Sequence, residues 1–223
     1  NPSLLPQYTN SFDLTLQTAG ALGTLQVAPF YRRTTDLIRH YKTIDPATGV
    51  STTTFRNFDR SSQFGLDVTT TGRLGSRLSG MLGANMAQVS TSAENLQAGL
   101  ASNALSWSLR SNATLRLGSL TDLQGFLMYR APMEIEQGRM RAFVVSNVSL
   151  RHRVLGGKGD VVLRVTDPLG RMNFGFTSAD ELHQQEFLRR TDARNVSLSF
   201  SYAFGRPPSL RPRAAEAMEM DIR

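Results

Sequence analysis

Long stretches of this chain alternate apolar and polar residues with a period of two, and each keeps one phase from end to end. The clearest rows are Leu105-Trp107-Leu109-Ser111-Ala113-Leu115-Leu117 and Val196-Leu198-Phe200-Tyr202-Phe204. Others are Phe12-Leu14-Leu16, Leu25-Val27-Pro29-Tyr31, Phe64-Leu66-Val68 and Leu78-Gly80-Leu82-Ala84-Met86. Leu123-Gly125-Leu127-Tyr129-Ala131, Ala142-Val144-Ser146-Val148-Leu150 and Val161-Leu163-Val165 complete the set. Successive side chains of a strand point to opposite faces, so these rows predict half-exposed antiparallel strands rather than helices. The spans are 11–19, 24–32, 62–71, 77–88, 104–117, 121–131, 140–152, 159–167 and 194–205. Most exceed the roughly five or six residues usual in soluble proteins. They match the roughly 9–11 that a tilted strand needs to cross a bilayer.

Charge follows the same phase. No position of the apolar rows is charged, whereas the alternate positions carry Asp13, Arg32, Asp67, Arg110, Arg116, Arg130, Arg151 and Arg164. An arginine facing lipid near the midplane costs about 2–4 kcal/mol, and one facing an aqueous lumen costs little. The connections sort by size as well. Gly20–Gly23, Gly72–Ser76, Gly118–Leu120 and Arg153–Lys158 are short and contain glycine, and they alternate with the long Arg33–Ser61, Val89–Asn103, Pro132–Arg139 and Pro168–Ala193. Short–long alternation is the layout of an outer-membrane barrel, with tight periplasmic turns and longer external loops. With Gly20–Gly23 periplasmic, the ninth strand runs inward and the C-terminus falls in the periplasm. A soluble β-sandwich binding module shares the alternation, but sandwich loops do not sort into two alternating sizes.

Composition excludes other classes. The chain has no cysteine, hence no disulfide framework and no thiolate metal site. No apolar run is long enough for a spanning helix. The net charge of +7 comes almost wholly from arginine, since Lys42 and Lys158 are the only lysines, and it is scattered rather than striped. That pattern predicts no nucleic-acid partner. The chain opens on Asn1-Pro2 rather than on Met with a basic stretch, as expected of a fragment or processed product.

Four motifs carry a family resemblance. Asn1-Pro2-Ser3-Leu4-Leu5-Pro6 precedes the first strand, and Phe30-Tyr31-Arg32-Arg33-Thr34-Thr35-Asp36-Leu37-Ile38 runs from strand into loop, with Asn57 after the loop hairpin. Val165-Thr166-Asp167-Pro168-Leu169 leads out of the penultimate strand, and Asn195 to Gly205 closes the series. In this order they resemble the barrel of TonB-dependent outer-membrane receptors, of the variety described as outer-membrane β-barrel family proteins. Gln7 and Asp13 stand where that family commonly has Glu. The resemblance covers residues 1 to about 205 and implies an all-β fold: an antiparallel meander of about nine long transmembrane strands, the C-terminal part of a larger, 22-stranded barrel. The plug domain and TonB box would lie outside this chain.

What the resemblance implies of function is uptake of a scarce substrate, such as a siderophore, glycan or peptide, across the outer membrane of a Gram-negative envelope. The partners would be outer-membrane lipid, the rest of the protein's own barrel and plug, and TonB through the absent N-terminal part. A passive or structural, adhesive barrel is the alternative. No cofactor and no enzyme activity are expected. His40, His152 and His183 lie in different segments without metal-ligand spacing, and Ser149 and His152 point to opposite faces of one strand. The lumen arginines Arg110, Arg116, Arg130 and Arg164 either attract an anionic ligand or the acidic groups of a plug, or form a solvated wall. Tyr41 and Phe55 flank the hairpin tip Ile44–Gly49, which is either a substrate-capturing device or a surface shield. Ser178-Ala179-Asp180-Glu181 fits a capping box ahead of a short helix, with strand extension the equal alternative. The tail 206–223 is expected to be disordered in the periplasm.

Overall fold

A computed structural model describes residues 1–179 and 184–204. Its strands are β1 (Tyr8–Asp13), β2 (Leu16–Gly20), β3 (Gly23–Ile44), β4 (Ser51–Leu74), β5 (Leu78–Ser92), β6 (Ala101–Arg116) and β7 (Thr121–Arg130). They continue with β8 (Met133–Ile135), β9 (Gly138–Met140), β10 (Phe143–Val154), β11 (Gly159–Thr166), β12 (Asn173–Ala179), β13 (Gln184–Arg190) and β14 (Asn195–Tyr202).

The main sheet runs in the order β1-β3-β4-β5-β6-β7-β10-β11-β14, with β2 beside β3 below β1, and every pairing is antiparallel. This is the nine-lane meander expected from the sequence. The first expected strand, 11–19, is broken into β1 and β2. Leu14 still donates its amide to the Pro29 carbonyl (3.1 Å). Pro29 has no N–H to return, so the ladder lapses for two residues. The strand expected at 140–152 begins at Phe143, because β8 and β9 take up residues 133–140.

Register brings all the apolar rows onto one face. Across the sheet, Val27 pairs with Val68, Val68 with Ala84, Ala84 with Leu109, and Leu109 with Tyr129. Tyr129 then pairs with Val144, while Leu150 meets Leu163 and Leu163 meets Leu198. This face is open: Leu105 is 50% exposed, Leu198 72% and Phe200 61%. A sandwich would have packed these residues inside, and the reading of the rows as sandwich core is thereby overturned.

The apolar row on β6, from Leu105 to Leu117, rises about 40 Å at about 3.4 Å per residue. Tilted by about 45°, it covers roughly 28 Å, close to the roughly 25 Å apolar band of an outer-membrane wall. Aromatic residues stand at both ends of the face. Trp107 and Tyr129, with ring centroids 5.0 Å apart, lie toward the long loops, and Tyr202 and Phe204, 4.6 Å apart, lie at the short-turn end.

The opposite face is polar, and two of its ion pairs lie near the short turns. Arg151 grips both carboxylate oxygens of Asp160 (2.9 and 2.8 Å), and Arg153 reaches Asp122 at 3.3 Å. Toward the other end, Phe30 is 3% exposed beneath the Arg32 guanidinium, whose carbon sits 4.4 Å from the ring centre. Gly65 makes the room for Phe30, since a Cβ there would lie 2.5 Å from the Phe30 ring.

Two strands run far past the sheet. The segment expected as the loop 33–61 is mostly strand, because β3 has 22 residues and β4 has 24, paired up to Ile44 and Ser51. Only the tip turns, and Gly49 sits there at a φ of 69°.

Candidate functional site

The loop end of the sheet is a built structure. At the base of the β3–β4 extension, Asp36 adopts a φ of 52°, unusual for a side chain larger than glycine. Asn57 holds this bend: its amide nitrogen donates to the carbonyls of Asp36 (2.7 Å) and Leu5 (3.0 Å), while its oxygen accepts from the Leu5 amide (2.8 Å). Gln7 accepts from the Ile38 amide at 3.0 Å, so the N-terminal motif is tied to the strand-to-loop motif through side-chain amides. Phe58, 1% exposed, packs with Ala93, Leu100, Leu37, Tyr41 and Leu96.

Two distant loops then combine. The strands β8 and β9 form one hairpin, β12 and β13 another, and the two join edge to edge as a four-stranded sheet in the order β13-β12-β9-β8. Gly138 permits the junction, for a Cβ there would strike the Thr177 carbonyl oxygen. Asp167 launches the second hairpin. Buried at the end of β11, its carboxylate accepts from the amides of Arg171 (3.0 Å) and Met172 (3.2 Å). Residues 173–179 and 184–190 are strands, so the helix alternative fails for these segments. The rest of the capping-box reading, and His183, fall outside the described residues.

This small sheet is amphipathic across its thickness. Cross-strand partners place Met133, Met140, Phe176 and Phe187 in one row, with Phe176 and Phe187 stacked at 5.5 Å. The other face carries the ion pairs Arg139–Glu134 (3.3 Å) and Arg141–Glu186. The apolar face looks toward the β3–β4 extension across a cavity of about 490 Å3. Its apolar lining is Phe58, Met133, Ile135, Met140, Phe174 and Phe176, and its polar lining includes Arg39, His40, Lys42 and Glu136. A reciprocal clasp fixes the width. The Lys42 amide donates to Gln137 Oε1 (3.0 Å), and Gln137 Nε2 returns to the Lys42 carbonyl (2.9 Å). Lys42 Nζ donates to Gln185 Oε1 at 2.7 Å, and the Ser102 hydroxyl donates to Glu136 at 3.1 Å.

The residues singled out from sequence are not one cluster. Arg110 and Arg130 are diagonal neighbours on β6 and β7, since Arg110 pairs with Met128 and Arg130 with Ser108. Arg116 lies at the opposite end, directly across from Asp122. Arg164 is apart from these three, in a hollow of about 410 Å3 with Asn112, Gln124, Asn147 and Ser149. None of the four forms an ion pair among the described residues. Tyr41 belongs to the Phe58 cluster and its hydroxyl donates to Gln97 at 3.3 Å. Phe55 is half-exposed and stacks on His40, centroids 4.1 Å apart. Neither Tyr41 nor Phe55 lines the cavity. The apolar wall of the cavity drew no notice in sequence, although Met133-x-Ile135 and Phe174-x-Phe176 carry a period-two signal inside supposed loops. At the hairpin tip, the Asp45 carboxylate accepts from the Ala47 amide (2.9 Å) and the Thr48 hydroxyl (2.8 Å), which holds its pKa below the usual value.

Compared with known proteins, residues 1–202 match the model of a family described as outer membrane protein beta-barrel family. No curated protein and no solved structure matches the chain.

Proposed function

The chain belongs to the outer membrane protein β-barrel family and sits in the outer membrane, and we propose that it forms wall and external loops of a TonB-dependent receptor that takes up a scarce substrate. The apolar face meets lipid, its two aromatic sets lie at the two membrane surfaces, and the polar face borders the lumen. The observation that carries the reading is the loop assembly: two hairpins joined into a second sheet, clasped to the β3–β4 extension over a cavity. Loops braced over a binding-sized space suit capture of a ligand better than free passage of small solutes. No catalytic step and no cofactor enter this reading.

Among the described residues, β1, β2 and β14 each have one unpaired edge. Bare strand edges are not tolerated in hydrocarbon. The first and ninth lanes of an antiparallel meander run in the same direction, so closure without a parallel seam takes an odd number of further strands. The proposal is that the same protein supplies them, together with a plug in the lumen and the TonB-contacting segment.

Conductance of the full-length protein in a planar bilayer tests the reading. A plugged receptor holds no steady current until the plug is unfolded with urea, after which large openings appear. A steady open current without denaturant is the signature of a passive barrel and would refute the receptor reading.

A further inference from the structure

Resting on the receptor reading, we propose that the cavity between the loop sheet and the β3–β4 extension binds an amphipathic anion, with an apolar body against the loop sheet and one anionic head against the extension. Size comes first. About 490 Å3 lies within the range of small-ligand pockets, which are mostly apolar with a few placed polar groups. The apolar wall of Phe174, Phe176, Met133, Met140 and Ile135 is borne by a loop sheet whose other face holds its ion pairs among the described residues. An aqueous loop has no reason to keep that wall dry unless something apolar covers it.

Charge sets the head group. Arg39 and Lys42 line the cavity, and Arg56 stands directly opposite Arg39 in the β3–β4 register. Like charges directly opposite on a sheet repel. Neither arginine forms an ion pair among the described residues, and Lys42 Nζ meets only the neutral oxygen of Gln185. Glu136, the lining carboxylate, is held by the Ser102 hydroxyl rather than by these cations. Among the described residues the excess is positive on the extension side, opposite the apolar wall. A carboxylate or phosphate seated in the cavity would meet Arg39 and offset its repulsion with Arg56 across the sheet, and the planar guanidinium fork of Arg39 is suited to hold it. Gln137 sets the gap by its clasp on the Lys42 backbone, so Lys42 can lose its charge without losing the clasp.

The probe is 6-fluoro-2-naphthoate, observed by fluorine NMR line broadening on the full-length protein in nanodiscs, with 6-fluoro-2-naphthamide and 6-fluoro-2-naphthylmethylammonium as neutral and cationic comparisons. Naphthoate is expected to bind saturably and about tenfold or more tighter than either comparison. The double variant R39Q/K42Q should remove that preference and leave amide binding unchanged. I135W, which fills the cavity, should abolish binding of all three. Equal affinity for the amide overturns the anionic assignment. Naphthoate binding that survives I135W places the ligand elsewhere and overturns the site, as does the absence of saturable naphthoate binding. None of these outcomes alters the conductance test, so the receptor reading stands or falls separately.

Discussion

Placing an arginine at two adjacent positions of β6 should give opposite results. Ser111 is the midpoint of the apolar row from Leu105 to Leu117 and pairs with Leu82 and Leu127. It lies six residues from each end, about 20 Å along the strand and roughly 14 Å in depth at a tilt of about 45°. Ser111→Arg removes almost no apolar surface, so its cost is the burial of a guanidinium in hydrocarbon at mid-depth, about 2–4 kcal/mol. That is a roughly 30- to 700-fold loss in the folding equilibrium. Asn112→Arg falls on the face that already carries Arg110 and Arg116 and should change stability by less than about 0.5 kcal/mol. Denaturant unfolding of the full-length protein in lipid vesicles, in a background that keeps Trp107 as its single tryptophan reporter, measures both. Equal costs, or the larger cost at 112, would refute the assignment of faces.

Other expectations follow from the loop end and its base. Asn57→Ala leaves the Leu5 and Asp36 backbone groups without their side-chain partner; local stability should fall by about 1–3 kcal/mol, read as faster hydrogen exchange at the Leu5 and Ile38 amides. Gly65→Ala drives a methyl into the Phe30 ring, the Met86 carbonyl and Ala87, and should destabilise the wall by about 1–3 kcal/mol in the same unfolding assay. Asp45 has a depressed pKa, so its contribution to the tip is complete above the ordinary carboxylate range and is lost as pH falls through its own lower value. Protection of the Ala47 amide should therefore persist at neutral and mildly acidic pH and disappear on further acidification, and Asp45→Asn should abolish that pH dependence.

The membrane part of the fold was legible because the bilayer enforces a period-two pattern on every strand that crosses it. Each row from Phe12 to Phe204 keeps its phase, and the observed register connects them without a slip. The extension of β3 and β4 was not legible. Beyond Tyr31 it is wetted or packed on both sides, so threonines and arginines occupy both phases and the alternation fades. Pro29 interrupted the first lane through a missing donor rather than through hydrophobicity. The cavity was hidden for a different reason: its walls come from residues 39–58, 133–140, 174–178 and 185, and the pairing of β9 with β12 has no local signature. Phe55 and Tyr41 were picked for their place near the tip, yet Tyr41 is spent on the Phe58 cluster. The four arginines were grouped by type, whereas strand stagger spreads them from one end of the wall to the other. The tail 206–223 lies outside the described residues.

The most direct test of the two-faced wall uses the absence of cysteine from these 223 residues, in a full-length background freed of any other cysteine. Single cysteines at each position from 105 to 116, spin-labelled in vesicles, report collision with oxygen in lipid and with a nickel chelate in water. Oxygen accessibility should peak at the odd positions and nickel accessibility at the even ones, across the whole strand. A flat profile, or nickel peaks at Leu105, Leu109 and Leu115, would contradict the account.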